Sequence, residues 1–286
     1  MDSRSERIKS FFNEYSLATG KFFQTDGNVN RSIDGSGWTP SVDESVATKL
    51  RTYLHGFFEE SKIITHLDCG TGLGYLPKVL HGNGFESYGV EGAIYLATPS
   101  DTYISPQGLH DALGPHKGMV VDKNRVLITD LCKPITDPRL KKAFDLTTSF
   151  EVIEHVHRDD QLKFWKNLAY LSDYHICAIH VSNEEHDHHC TINEPKEWER
   201  IFDDLGIQWK RLEDFPIKTW DCSAFYRLTL PNEITKTNVN FGKPQLLQKA
   251  KMQLMKNDRI RNFYFEYKEF GIFQPIKRRI KNRLRL

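Results

Sequence analysis

The stretch Asp68-Cys69-Gly70-Thr71-Gly72-Leu73-Gly74 constrains the fold of this 286-residue chain more than any other. It follows the apolar run Ile63-Ile64-Thr65-His66-Leu67 and precedes Tyr75 to Leu80, which suits the start of a helix. Glycines at alternate positions let a backbone turn tightly after a strand, where a Cβ would clash or block a ligand. A nucleotide-like molecule can lie against bare backbone at the N-terminus of the helix that follows. The leading acid narrows the ligand. Asp68 would repel a phosphate and suits a group carrying an ammonium or sulfonium.

The rest of the chain alternates strand and helix signals, which predicts a parallel sheet with crossover helices. Strands are expected at 63–68, 87–91, 126–129, 144–150 and 175–182, with two more at 207–212 and 225–230. A helix over 159–171 is expected to bury Leu162, Trp165, Leu168 and Ala169, spaced by three or four, with Asp159 and Asp160 favourable in its first turn. Another begins near Pro195, buries Trp198, Ile201, Phe202 and Leu205, and stops at Gly206. Ahead of the glycine turn, Ile8, Phe11, Phe12 and Tyr15, then Val46, Leu50, Leu54 and Phe57-Phe58, recur at helical spacing around a polar loop, 25–41. Residues 1–60 therefore read either as a helical layer packed on the sheet or as a lid in which Tyr15, Phe22, Phe23 and Trp38 touch ligand. The segment 93–123 holds three prolines and three glycines and cannot be one helix. It reads as a loop over the ligand edge or as a passive surface loop.

Charge is segregated. Residues 243–286 carry thirteen Lys/Arg against three Asp/Glu, a net of +10, so the remainder carries −9 and the whole only +1. This basic, amphipathic extension fits an anionic polymer, a membrane surface or an acidic protein partner, or packs on the acidic body. No apolar run approaches the roughly 18 residues needed to span a bilayer, and the N-terminus lacks the apolar centre of a secretory signal. The five cysteines show no CxxC spacing and read as free thiols in a reducing compartment. A cytoplasmic protein is the expectation.

Four motifs, Leu67 to Gly74, Tyr88-Gly89-Val90-Glu91-Gly92, Ile128-Thr129-Asp130-Leu131 and Phe144 to Val156, stand in an order and spacing that resembles the class I S-adenosylmethionine-dependent methyltransferases over roughly residues 61–230. The resemblance implies an α/β fold: a Rossmann-like, doubly wound, seven-stranded sheet with an antiparallel last strand. To this are added the N-terminal helical layer (1–60) and the basic helical C-terminal extension (232–286), around a cofactor-binding domain at 61–231. It also implies S-adenosylmethionine as cofactor, with Asp68 near its amino group and Gly70, Gly72 and Gly74 forming the cradle. Asp130 would meet the adenine amino group, Leu131 would give backbone and apolar contact, and Glu151 would face the methionine part.

Each residue also has a plainer reading. Asp68 can cap the following turn. Glu91 can bind a ribose diol, as in nicotinamide-binding sheets too, or be a surface acid. Asp130 can be a turn aspartate before Cys132-Lys133-Pro134. In the Glu151-Val152-Ile153-Glu154-His155 run, the resemblance sets His155 near the methyl acceptor, where an imidazole can take a hydroxyl proton. Alternatively His155 only pins the loop. The run His186-Asp187-His188-His189-Cys190 invites a zinc reading, but adjacent residues point apart and no spaced second pair follows, so no metal is expected. By resemblance His189 and Asn193 contact the acceptor; otherwise they belong to a solvated loop. The expected activity is methyl transfer to a small polar acceptor, most readily an oxygen of a sugar or metabolite. The alternatives are a methyltransferase that grips nucleic acid or protein with its basic tail, a nicotinamide-dependent oxidoreductase and a binding protein on a degenerate version of the fold.

Overall fold

The computed structural model describes residues 3–21, 23, 45–72, 74–92, 122–181, 191–217, 223–241 and 243–244. The chain divides into two compact units, 1–243 and 244–286. Of the second only Pro244 is described. The extension expected from 232 starts later: 232–241 belongs to the first unit, where Ile234 and Phe241 join the core, and 245–286 lies outside the described residues, as do the 25–41 loop and nearly all of the 93–123 insertion.

The first unit is built on one seven-stranded sheet. Its strands are β1 (Ile64–Cys69), β2 (Phe85–Glu91), β3 (Val126–Ile128), β4 (Leu146–Phe150), β5 (Tyr174–His180), β6 (Gln208–Leu212) and β7 (Ser223–Thr229). In space they run 3-2-1-4-5-7-6. Strands β1 to β5 pair in parallel, and β7 pairs antiparallel with both β5 and β6. The sheet is thus the expected Rossmann-like arrangement with an antiparallel last strand. Every residue of β1 is buried, as a central parallel strand covered on both faces requires. The edge strand β6 is mostly exposed, with only its last residue, Leu212, buried.

Helices cover both faces. On one, α2 (Ser45–Tyr53) and α3 (Tyr75–Leu80) pack Val46, Leu50, Tyr75 and Leu76 against Ile64, Phe85, Leu146 and Ile176. On the other, α1 (Ser3–Tyr15), α4 (Arg158–Leu171) and α5 (Pro195–Leu205) enclose Leu67, Tyr88, Val90, Leu127 and Phe144. In α5 the Glu194 N–H donates to Glu197 Oε2 at 3.0 Å, Pro195 opens the first turn and Gly206 ends it at φ +71°. In α4 the buried stripe is Phe164, Trp165, Leu168, Ala169 and Leu171. Leu162 is only half-buried, because the buried side of the first turn belongs to Gln161, whose amide bonds Ile153 O and Val156 O.

The N-terminal helix is part of the core. Ile8 and Phe11 are fully buried, and the Phe12 and Tyr88 rings lie 4.3 Å apart at their centroids. Tyr15 and Phe23 pack on Phe11 and on each other. Arg139, in the short turn Pro138–Leu140, ties that turn to the helix: it pairs with Glu14 at 2.9 Å and, within the turn, with Asp137 at 2.7 Å while covering the Phe11 ring. These contacts are those of a packed helical layer; Phe22 and Trp38 lie outside the described residues. Phe12→Ala should therefore cost about 3–5 kcal/mol of stability. Chemical denaturation reads this, since a movable cover over the ligand edge would leave the unfolding midpoint where it is.

Candidate ligand site at the strand ends

The chain order reverses between β1 and β4: from β1 the sheet grows one way through β2 and β3, and the other through β4 and β5. Open α/β sheets bind ligands outside the carboxyl ends of the strands at such a reversal. Asp68 and the glycine turn stand there, beside Glu91 at the end of β2 and Glu151 just past the end of β4.

All three glycines are left-handed, Gly70 at φ +76°, Gly72 at +56° and Gly74 at +72°. A Cβ on Gly70 would lie 2.5 Å from Val152 Cγ2, so glycine is required there on two counts. The amides of the turn's described residues are taken up within the protein. Gly70 N–H and Thr71 N–H both donate to Val90 O, at 2.8 and 2.9 Å, and Gly74 N–H donates to Thr71 O. Gly72 N–H donates to Glu91 Oε2 at 2.7 Å. The loop is thereby stitched to the end of β2, and Glu91 is set against it.

Asp68 is 5% exposed. Thr148 Oγ1 donates to its Oδ1 at 2.6 Å. Burial pushes the Asp68 carboxyl up to about 6, against the opposing pull of the Thr148 and Thr71 hydroxyls. Burial and the Asp68 charge also raise the adjacent Cys69 thiol. Among the described residues Cys69, Cys132 and Cys177 are free thiols.

Asp130 follows β3, and its Oδ1 accepts the Cys132 N–H at 2.8 Å, the turn role open to it. Leu131 is buried in the core, and its carbonyl accepts from Asn167 Nδ2 at 2.6 Å. Glu151 adopts φ +57°, rare for a residue with a Cβ. Its N–H donates to Ala178 O, its carboxylate accepts from the Ser223 hydroxyl, and His180 Nδ1 lies 3.9 Å from it. Glu151 thus joins the β5–β7 side of the edge, away from the Glu91 cradle. Glu154 is 1% exposed and its Oε1 accepts the His180 N–H. Burial first, then the charge of Glu151, push it well above the usual carboxylate range. His155 is exposed at the end of the short turn Ile153–His155. His189 lies outside the described residues; Asn193 is 2% exposed, with Nδ2 donating to Phe241 O at 3.4 Å.

Thr148, His180 and Ser223 were not among the residues expected at this edge, and each touches a residue that was. The signal for Thr148 was present in Thr147-Thr148-Ser149, three hydroxyls in a strand buried on both faces, where each must find a partner. His180 and Ser223 carried none, since their meeting depends on the antiparallel β5–β7 register that sets them opposite each other.

No protein-family model matches the chain, and no curated protein matches it in sequence. Many solved structures resemble it. A putative Zn-dependent alcohol dehydrogenase from Rhodobacter sphaeroides is 8% identical at a TM-score of 0.45, over 71% of this chain and 100% of that one. An S-adenosylmethionine-dependent methyltransferase from Clostridium acetobutylicum ATCC 824 is 12% identical at 0.44, over 66% and 93%. Magnesium protoporphyrin IX methyltransferase from Synechocystis PCC 6803, solved with S-adenosylhomocysteine, is 14% identical at 0.39, over 66% and 83%. Likeness this distant carries no argument about the chemistry of this chain. The fold rests on the chain's own strand order and antiparallel seventh strand, which are those of the class I methyltransferase fold.

Asp68 offers a direct check on the electrostatics of the edge. An unfolded aspartate titrates near 3.8 and the folded one near 6, so between those values the native state holds a proton that the unfolded state has lost. Its contribution to stability is complete below 3.8 and is lost as pH rises to about 6. Asp68→Asn removes that loss, and should stabilise the protein near neutral pH by about 3 kcal/mol relative to its effect in acid. Thermal melts of both proteins across this range check it; a difference that does not change with pH would show that the hydroxyl donors offset the burial of Asp68 in full.

Proposed function

We propose that this protein is an S-adenosylmethionine-dependent methyltransferase acting on a small polar acceptor, by O-methylation of a sugar or metabolite. The observation that carries the reading is where the loop amides go. The N–H groups of Gly70, Thr71, Gly72 and Gly74 all have acceptors within the protein, and the strand ends around them carry the acids Asp68, Glu91 and Asp130. A dinucleotide's pyrophosphate needs open amides at such a turn and no carboxylate beside it, so Asp68 tells against one, while Glu91 suits the ribose of either ligand. A cationic adenosyl ligand with a ribose diol needs the reverse, and the donor set fits it.

On this reading Gly72 and Gly74 leave room for the ligand, Gly70 lets the cradle pack against Val152, and Asp68 accepts from the ligand's amino group. Glu91, oriented by Gly72 N–H, has further acceptor sites for ribose hydroxyls. Asp130 and the Leu131 backbone border the adenine. Bound there, S-adenosylmethionine supplies a methyl group already activated on a sulfonium. The chain's own work is then to hold the acceptor in line and to exclude water. His155, exposed past the end of β4, is the residue set to receive the acceptor's hydroxyl proton. His189 is the second acceptor-side candidate.

Calorimetry separates the readings. S-adenosylhomocysteine should bind the wild-type protein, whereas NAD should not; the opposite outcome makes the protein a dinucleotide binder. Gly72→Arg places a Cβ at φ +56° and a guanidinium where Glu91 is tethered. It should weaken S-adenosylhomocysteine by about a hundredfold or more, with the circular dichroism spectrum unchanged.

Incubation with an isotope-labelled methyl donor and a metabolite extract identifies the acceptor. With that acceptor in hand, His155→Ala should lower turnover about 100-fold or more with little change in cofactor affinity. Undiminished turnover would remove His155 from proton transfer.

A further inference from the structure

We propose that His66 is a positioning residue for the ligand site: acting through Thr148, it fixes Asp68 as the acceptor for the amino group of an S-adenosyl ligand. The inference rests on the S-adenosylmethionine reading above and adds to it a residue that touches no ligand.

His66 is fully buried in the middle of β1. Its Nδ1 lies 2.7 Å from Ser87 Oγ on β2, and its Nε2 2.9 Å from Thr148 Oγ1 on β4. Thr148 Oγ1 in turn reaches Asp68 Oδ1 at 2.6 Å. These contacts have only one consistent set of donors when Asp68 is ionised. A carboxylate has no proton to give, so the single hydroxyl proton of Thr148 points to Asp68. The Thr148 oxygen must then accept, and His66 Nε2 carries the N–H. His66 Nδ1 is left as the acceptor and takes the proton of Ser87. Three hydrogen bonds therefore run in one direction, Ser87 to His66 to Thr148 to Asp68, and each donor polarises the next.

Strand register builds this chain. His66 stands opposite Ser87 and Asp68 opposite Thr148 in the parallel ladders, so the three strands hold the four groups in line. Burial pushes the His66 imidazole down to about 3. It delivers a directed dipole to Thr148 and adds no positive charge to compete with a ligand ammonium. In the other tautomer Nε2 would accept, the Thr148 hydroxyl would turn towards it, and Asp68 would lose the stronger of its two hydroxyl donors, Thr148 and Thr71.

The chain touches only the amino-acid end of the ligand, because ribose and adenine fall to Glu91 and Asp130. Two ligands therefore test it. S-adenosylhomocysteine carries the amino group, and 5′-methylthioadenosine lacks the amino-acid tail. Calorimetric affinities are compared for the wild type, Thr148→Val, His66→Leu and His66→Gln, the last placing an amide donor near the position of Nε2. Thr148→Val and His66→Leu should weaken S-adenosylhomocysteine by about 10- to 100-fold and 5′-methylthioadenosine by less than about threefold, while His66→Gln keeps most of the affinity. If His66→Leu does not fold, Ser87→Ala, which releases the imidazole to change tautomer, should lower S-adenosylhomocysteine affinity selectively.

Equal loss of both ligands, or an unchanged S-adenosylhomocysteine affinity in Thr148→Val, would overturn the inference and leave the methyltransferase reading standing. A wild-type protein that binds neither ligand would overturn both.

Discussion

The buried carboxylate of Asp68 organises the ligand edge. A charge at 5% exposure is costly to desolvate, and a protein keeps one there only if something offsets the cost. Within the protein the offset is partial. Thr148 donates one short hydrogen bond, and the carboxyl still titrates near 6. On the proposed reading a group left so close to neutrality is completed by the ligand's cation, at the end of a central strand beside the sheet reversal. Instability of the unliganded site and affinity for the ligand are then two consequences of the same desolvation.

The glycine turn obeys the same electrostatics. Positive φ at three positions turns the loop's amides back onto Val90 O and the Glu91 carboxylate. A loop of this composition that faced its amides outward would bind phosphate. Here one amide fixes Glu91 and two others are taken up by Val90 O. On the proposed reading the difference between a dinucleotide site and this one lies less in the number of glycines than in which way their N–H groups point.

Much of this was legible in the sequence, because parallel central strands and amphipathic helices announce themselves locally. The run before the glycines is β1, the 159–171 periodicity is α4 to within one residue, and Pro195 and Gly206 bracket α5 as expected. Placement of the acids at the strand ends followed from the same motifs. Contacts that join distant strands were not legible. The Asp68–Thr148 bond spans 80 residues and the Glu151–Ser223 contact 72, and only sheet order brings these pairs together. The two readings of the N-terminal segment were equally open for a related reason: an amphipathic helix looks alike whether it is core or cover, and only the partners of Phe12 and Arg139 distinguish them.

A second buried histidine shows what the role proposed for the His66 chain adds to the satisfaction of polar groups. His175 on β5 lies on the opposite face of the sheet, also fully buried and also pushed down to about 3. It bridges Thr147 Oγ1 at 2.8 Å and Ser149 Oγ at 2.9 Å. That network continues from Thr147 to the Ser172 hydroxyl and ends on the carbonyl of Tyr174, at the amino end of β5. A carbonyl deep in the fold accepts whatever hydroxyl proton is nearest and gains nothing from its direction. The His66 network ends instead on a carboxylate at the ligand edge, where turning one hydroxyl changes the charge a ligand meets. With the same residue types and the same burial, the end point separates a network that closes the core from one that presents a binding group.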